Sequence, residues 1–188
     1  MFSSLNLPPS LMFDFRTASP TYDLTEEKCQ IFIRQIARGL QFIHSNNVIH
    51  LDMKPFNVIF ANPEDDSDLR IIDFGISQEL QPGQTSLPMS MVGTLEFMSP
   101  EVLNCSEATT AADMWGLGVI AYLLVSGGVS PFFDTSRYKI MSNILHCRYN
   151  FDQPNFALLS DEATDFISKL LGEINQTKHL AFLIFTSQ

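Results

Sequence analysis

His50-Leu51-Asp52-Met53-Lys54-Pro55-Phe56-Asn57, followed after a short interval by Asp73-Phe74-Gly75, is the stretch on which the reading of this chain turns. An aspartate, a lysine two residues on and an asparagine three beyond that make a compact polar loop. Val58-Ile59-Phe60 and Leu69-Arg70-Ile71-Ile72 flank the acidic segment Ala61 to Asp68, which predicts two short strands joined by a turn. Such a hairpin returns Asp73 beside Asn57. A carboxylate and a carboxamide meeting there can share hard divalent cations, which take oxygen ligands. Asp52 is then free to receive a proton from a hydroxyl, and Lys54 to neutralise charge on a transferring phosphoryl group. Those are the parts that phosphoryl transfer needs.

The pattern H-x-D-x-K-P-x-N followed by D-F-G resembles the catalytic loop and metal-binding motif of eukaryotic protein kinases. Gly93-Thr94-Leu95-Glu96-Phe97-Met98-Ser99-Pro100-Glu101 is similar to the family's substrate-site segment, G-T-x-x-[YF]-x-[AS]-P-E. Asp113-Met114-Trp115-Gly116-Leu117-Gly118 is similar to its D-x-W-[SG]-x-G helix start, and Ser130-Pro131-Phe132 to the loop that follows. A chance set of loop-capping Asp and Asn residues does not explain four motifs in this order. A small-molecule phosphotransferase with its own H-x-D-x-x-x-x-N loop lacks the Ser-Pro-Glu and Asp-x-Trp motifs.

The resemblance implies a serine/threonine protein kinase that moves a phosphoryl group from ATP, with Mg2+, to protein Ser or Thr. It places Asp52 as catalytic base, with Lys54 and Thr94 beside it. Lys54, Asn57, Ile59 and Asp73 fall on the nucleotide side, and Asn57 and Asp73 on the metal. The expected fold is mainly α, the C-terminal lobe of the α+β protein-kinase fold, with a short β-hairpin next to the catalytic loop. Within the family, the run from Thr110 to Leu124 and the Ser-Pro-Phe loop look most like death-associated protein kinases and related members of the calmodulin-kinase group.

Composition narrows the partners. The 188 residues suit one domain with a real core, and a net charge of −10 argues against nucleic acid or an anionic membrane surface. It is compatible with basic peptide substrates. However, kinases that select such substrates often carry Glu where Phe56 stands and an acidic residue where Leu123 stands, which puts a strong arginine preference in doubt. Cys29, Cys105 and Cys147 are odd in number and show no metal-ligand spacing, as expected of a reduced cytosolic or nuclear setting. Met1 to Leu11 lacks the basic region of a signal peptide. The longest apolar run, Val119 to Val125, is too short for a membrane span and reads as a core helix. Asn104-Cys105-Ser106 and Asn175-Gln176-Thr177 match the glycosylation pattern, by coincidence if the chain is not secreted.

Along the chain, Met1 to Ser10 reads as irregular. Thr25 opens a long helix whose apolar positions Phe32, Ile36, Leu40 and Ile43 form one buried stripe. Thr109 or Thr110 caps the next, Ala111 to about Ser126, which is apolar all round and belongs at the centre of a core. Asp113 at its start needs hydrogen bonds if buried, and in kinases accepts them from the catalytic-loop backbone. Trp115 reads as a packing residue. Gly116-Leu117-Gly118-Val119-Ile120-Ala121 mimics a dinucleotide motif but sits in a helical run with no strand before it. Shorter helices are expected over Ser136 to His146 and Asp161 to Leu171, the latter capped by Ser160.

The resemblance spans residues 11–171, all of it C-lobe, with residues 172–188 an atypical tail ending in the apolar run Leu180 to Phe185. Gly39 is the only glycine in the first fifty residues and Lys28 the only lysine before Lys54, so no glycine-rich loop or strand lysine is seen there. On this reading the fragment alone is poorly active, and a non-catalytic kinase-like binding module or truncated isoform is the alternative. No calmodulin-binding type of basic amphipathic helix is present. Between Gly75 and Gly93, Thr85, Ser86 and Ser90 offer hydroxyls in a polar segment expected to be a mobile activation loop. Leu51 replaces the arginine that in many kinases pairs with a phosphorylated loop, so activation by that route is not expected. Finally, the family pairs the glutamate at position 101 with a later arginine. None lies beyond Arg148, so Glu101 is expected to be solvated or paired elsewhere.

Overall fold

Thr25 ends an extended approach and starts helix α1 (Glu26–Ser45): its hydroxyl accepts the Lys28 amide at 3.3 Å, and Glu26 and Glu27 lie against the positive end of the helix. In this computed structural model, residues 24–62 and 65–172 are described. The irregular segment expected over residues 1–10 and the tail from 173 onward lie outside them. Phe32, Ile36, Leu40 and Ile43 are all buried, as their spacing requires.

Helix α3 (Ala111–Ser126) is the core around which the rest packs, with α1 along one side and α5 (Asp161–Leu170) along another. Its capping differs in detail from the sequence reading. Thr110 stands at the cap position without a side-chain bond, and it is the Thr109 hydroxyl that accepts the Ala111 amide at 3.1 Å. Trp115 is fully buried and stacks on Phe132, with ring centroids 5.3 Å apart and planes 6° from parallel. The glycines of the dinucleotide lookalike serve packing instead. A Cβ at Gly116 would lie 2.7 Å from Met53 Cβ and 2.9 Å from Met53 O, so the glycine is what lets the loop around Met53 lie directly on the helix. Gly127, at φ 75°, ends α3 in a left-handed cap.

Short strands hold the loops. β1 (Val48–Ile49) pairs antiparallel with β4 (Gln78–Glu79). β2 (Val58–Asn62) pairs antiparallel with β3 (Asp65–Ile71), Val58 opposite Ile71, so the ladder runs into the acidic segment that the sequence reading assigned to a turn. β5 (Leu87–Pro88) pairs with β6 (Glu107–Ala108), and the Ser86 hydroxyl donates to Glu107 Oε2 at 2.7 Å. The segment between Gly75 and Gly93 is thus fastened at two points, and Leu80 within it is buried. Its polar composition concealed both pairings. Helix α2 (Pro100–Leu103) and helix α4 (Arg137–Leu145) complete the α-helices of the described residues.

α5 is tied back to α1 through its own cap. The Ser160 hydroxyl accepts the Ala163 amide at 3.2 Å, while the Ser160 amide and hydroxyl donate to Glu26 Oε2 and Oε1 at 2.9 and 2.5 Å. Partial burial alone would raise the Glu26 carboxyl. The bonds from Ser160, with one from Gln30, outweigh it and lower the carboxyl below its ordinary 4.5. A depressed carboxyl stabilises the fold above the unfolded value, and that contribution is lost as pH falls through the folded one. Glu26→Gln is therefore expected to cost about 1 kcal/mol in urea unfolding at pH 7. The gap to the parent should narrow as pH falls below the ordinary 4.5 and close once it passes the lowered value. A gap that persists in acid contradicts the assignment.

Candidate active site

The site is built on Asp113. Its carboxylate, 1% exposed in the first turn of α3, accepts the His50 amide at Oδ2 and the Leu51 amide at Oδ1, each at 2.8 Å. His44 Nε2, from the last turn of α1, reaches Oδ2 at 2.8 Å. Three polar groups from two distant segments thus converge on one buried anion, which is what makes its burial tolerable. The grip holds Leu51 at φ 67°, a left-handed conformation unusual for a bulky residue, with its side chain in the core. His50 is fully buried: Nε2 meets Ile72 O at 3.0 Å, Nδ1 accepts the Asp52 amide at 3.3 Å, and the Phe74 ring packs edge-on at 5.0 Å. The Nε2-protonated tautomer satisfies both nitrogens.

With the loop pinned, Asp52 becomes a hub. Lys54 Nζ donates to Oδ2 at 2.5 Å, and Asn57 Nδ2 to Oδ2 at 3.1 Å and to the Asp52 carbonyl at 2.7 Å. The Thr94 amide and hydroxyl reach Oδ1 at 3.2 and 3.1 Å, and Lys54 Nζ also donates to Thr94 Oγ1 at 3.0 Å. Thr94 gets this close because Gly93 precedes it at φ 95°, where a Cβ would sit 2.9 Å from Leu51 O. Asp52, Lys54, Asn57 and Thr94 therefore form one bonded group.

Asp73 joins that group through the backbone. The Ile72 amide donates to Asn57 O at 2.9 Å, setting Asp73 next to the Asn57 turn. Asp73 itself has φ 64° and accepts the Gly75 amide at 3.2 Å. Ile59 lies in β2 opposite Arg70, half-buried. Among the described residues no three His, Cys, Asp or Glu side chains form a metal cluster. A cation here would draw on the Asn57 and Asp73 oxygens and take its other ligands from water and substrate, which is how magnesium is usually held.

The model of the protein kinase domain matches residues 11–181. The chain belongs to the protein kinase family. Relatives lie in the calmodulin-kinase group. The chain is 41% identical over 156 residues to Myosin light chain kinase 3 of Danio rerio, a match covering 83% of this chain and 21% of that one. It is 42% identical over 159 residues to the death-associated protein kinase of Caenorhabditis elegans, 85% of this chain and 11% of that one. To Myosin light chain kinase family member 4 of Homo sapiens it is 40% identical over 160 residues, 85% and 40% respectively. The chain thus spans well under half the length of these relatives.

Two residues of this kinase domain behave in ways the sequence did not foretell. In the sequence His44 marks only a helix end, and nothing local links it to Asp113, 69 positions away. Glu101 corrects an expectation: it is not solvated, and no partner for it lies among the described residues. It is 5% exposed, and neither carboxylate oxygen has a hydrogen-bond partner among the described residues. The reason is placement, since Pro100 starts α2 and the helix packs under α4 and β6, drawing the side chain inward. An uncompensated buried charge is destabilising. Glu101→Gln is accordingly expected to raise the thermal midpoint of residues 1–188 by a few degrees, on the order of 1–2 kcal/mol. A lowered midpoint would contradict an uncompensated charge at this position.

Proposed function

We propose that the chain is the C-terminal lobe of a serine/threonine protein kinase catalytic domain, with Asp52 as the base that takes the proton from the acceptor hydroxyl. The observation that carries this reading is the Asp52 hub, in which Lys54, Asn57 and Thr94 orient one carboxylate from three sides. Bound magnesium and ATP would supply the phosphoryl group and neutralise its oxygens. The chain's own residues do the positioning. Asn57 and Asp73 offer hard oxygen ligands, and Lys54 Nζ, already at Asp52, sits where charge builds on the transferring group. Thr94 closes the floor under the acceptor. Lys54 in the loop, together with the names of the relatives, supports Ser and Thr rather than Tyr as acceptors.

The acidic chain argues for protein rather than nucleic-acid or membrane partners, and no helix among the described residues is long and apolar enough to cross a membrane. The three free cysteines fit a cytoplasmic or nuclear setting. No calmodulin-binding segment is read within residues 1–188. The competing reading, a kinase-like binding module that holds partners without transferring phosphate, does not require Asp52, Lys54, Asn57 and Asp73 to be kept together.

By themselves, residues 1–188 are expected to bind ATP weakly and to transfer phosphate negligibly, since they offer only one wall for the nucleotide. Joined to an N-terminal nucleotide lobe from a relative, they should phosphorylate Ser or Thr peptides in a magnesium-dependent way. Asp73→Asn should abolish that activity. Asp52→Asn should lower turnover about 10²- to 10⁴-fold with nucleotide binding nearly intact, because the base acts on the hydroxyl rather than on ATP. A joined protein that binds nucleotide and peptide but transfers nothing supports the binding module, and full activity in Asp52→Ala sinks the base assignment.

A further inference from the structure

Helix α4 is apolar on two faces, and only one of them is buried. Ile140 and Ile144, four residues apart, are out of water where the helix packs on α2. Tyr138, Met141 and Leu145, at spacings of three and four, share a second face. Tyr138 is 80% exposed and Leu145 41%, with Met141 partly buried between them. None of the catalytic contacts uses these side chains.

Charge identifies what would cover that face. From Thr135 to Phe151 the sequence has no acidic residue, although the chain as a whole carries a net charge of −10. Arg137, Lys139 and Arg148 fall in that interval, and all three are exposed. Asp134, just before it, is taken up by the Ser136 amide at 2.9 Å and by Lys139 Nζ at 3.7 Å. Arg137 stands in the first turn of α4. Arg148 is fixed just past the last turn: Cys147 has φ 49°, and the Arg148 amide donates back to Asn143 O at 2.8 Å. A cation thus stands at each end of an apolar strip about 10 Å long, the rise of seven helical residues. Apolar side chains at this spacing are covered by a second helix laid along them, and two terminal cations favour carboxylates at its ends. A second copy of α4 fits poorly, because a two-fold contact would set arginine against arginine.

We propose that the outer face of α4 is a docking surface for an acidic amphipathic helix of a partner protein. Apolar residues of that helix at i, i+3 or i+4, and i+7 seat on Tyr138, Met141 and Leu145, and its flanking carboxylates meet Arg137 and Arg148. The surface is separate from the contacts at Asp52 and does not depend on the catalytic reading.

The test is a selection on residues 1–188 from a displayed library of helical peptides, randomised along one face and at both ends. Counter-selection against the double variant Tyr138→Ser, Leu145→Ser removes binders of other surfaces. Both substitutions lie at exposed positions, and an unchanged thermal midpoint checks that the variant is folded. The recovered peptides should be acidic at their ends and apolar at i, i+3 or i+4, and i+7. They should bind the parent about tenfold or more tightly than the variant, the scale of losing one buried aliphatic side chain. Arg137→Glu and Arg148→Glu, made separately in the parent, should each weaken binding severalfold, and added salt should do the same. Recovered peptides that are basic or uncharged, the absence of any peptide surviving counter-selection, or binding indifferent to both arginine substitutions overturns the proposal. A parent that sediments as a dimer and a double variant that sediments as a monomer would assign the face to a second copy, and overturn it equally.

Discussion

A single buried carboxylate organises this domain. Asp113 is out of water at the start of the central helix, where an unpaired charge costs several kcal/mol. The two loop amides and the His44 ring that meet it make the burial tolerable, and in return the loop from His50 to Asn57 has one place to be. Everything chemical hangs from that. Leu51 takes its left-handed turn because its own amide and that of His50 are committed to Asp113, and Asp52 emerges facing Lys54, Asn57 and Thr94 rather than solvent alone.

Close approach of backbone to backbone is the second requirement, and glycine meets it twice. Gly116 lets Met53 rest on α3 directly beneath the loop, and Gly93 lets the next segment pass within reach of the Leu51 carbonyl, delivering Thr94. Any larger side chain at either position would push the catalytic loop off its support or pull Thr94 from Asp52. Packing and chemistry are thus coupled through the same few contacts.

Much of this was legible in the sequence because the decisive signals are local. The stripe Phe32, Ile36, Leu40, Ile43 marks α1, the all-apolar run after Asp113 marks α3, and the spacing from Asp52 to Asn57 fixes which side chains share a turn. What stayed hidden depends on partners far away in the chain. The Ser160 link to Glu26 spans 134 positions, the His44 contact with Asp113 spans 69, and the β5–β6 pairing crosses a segment whose composition reads as loop. Glu101 departs from expectation for the same reason: its motif is local, but whether water reaches it depends on how α4 packs over α2. The acidic residues of β3 predict a turn because strand propensity is low there, and cross-strand pairing with β2 overrides it.

The anchor itself can be measured directly by amide hydrogen exchange. In the parent chain the His50 and Leu51 amides should exchange slowly despite lying in a loop, since each donates to a buried carboxylate. In Asp113→Ala those two amides should lose their protection while amides in the middle of α5 keep theirs. If His50 and Leu51 exchange at unchanged rates in that variant, Asp113 does not hold the catalytic loop and the account of the site fails at its base.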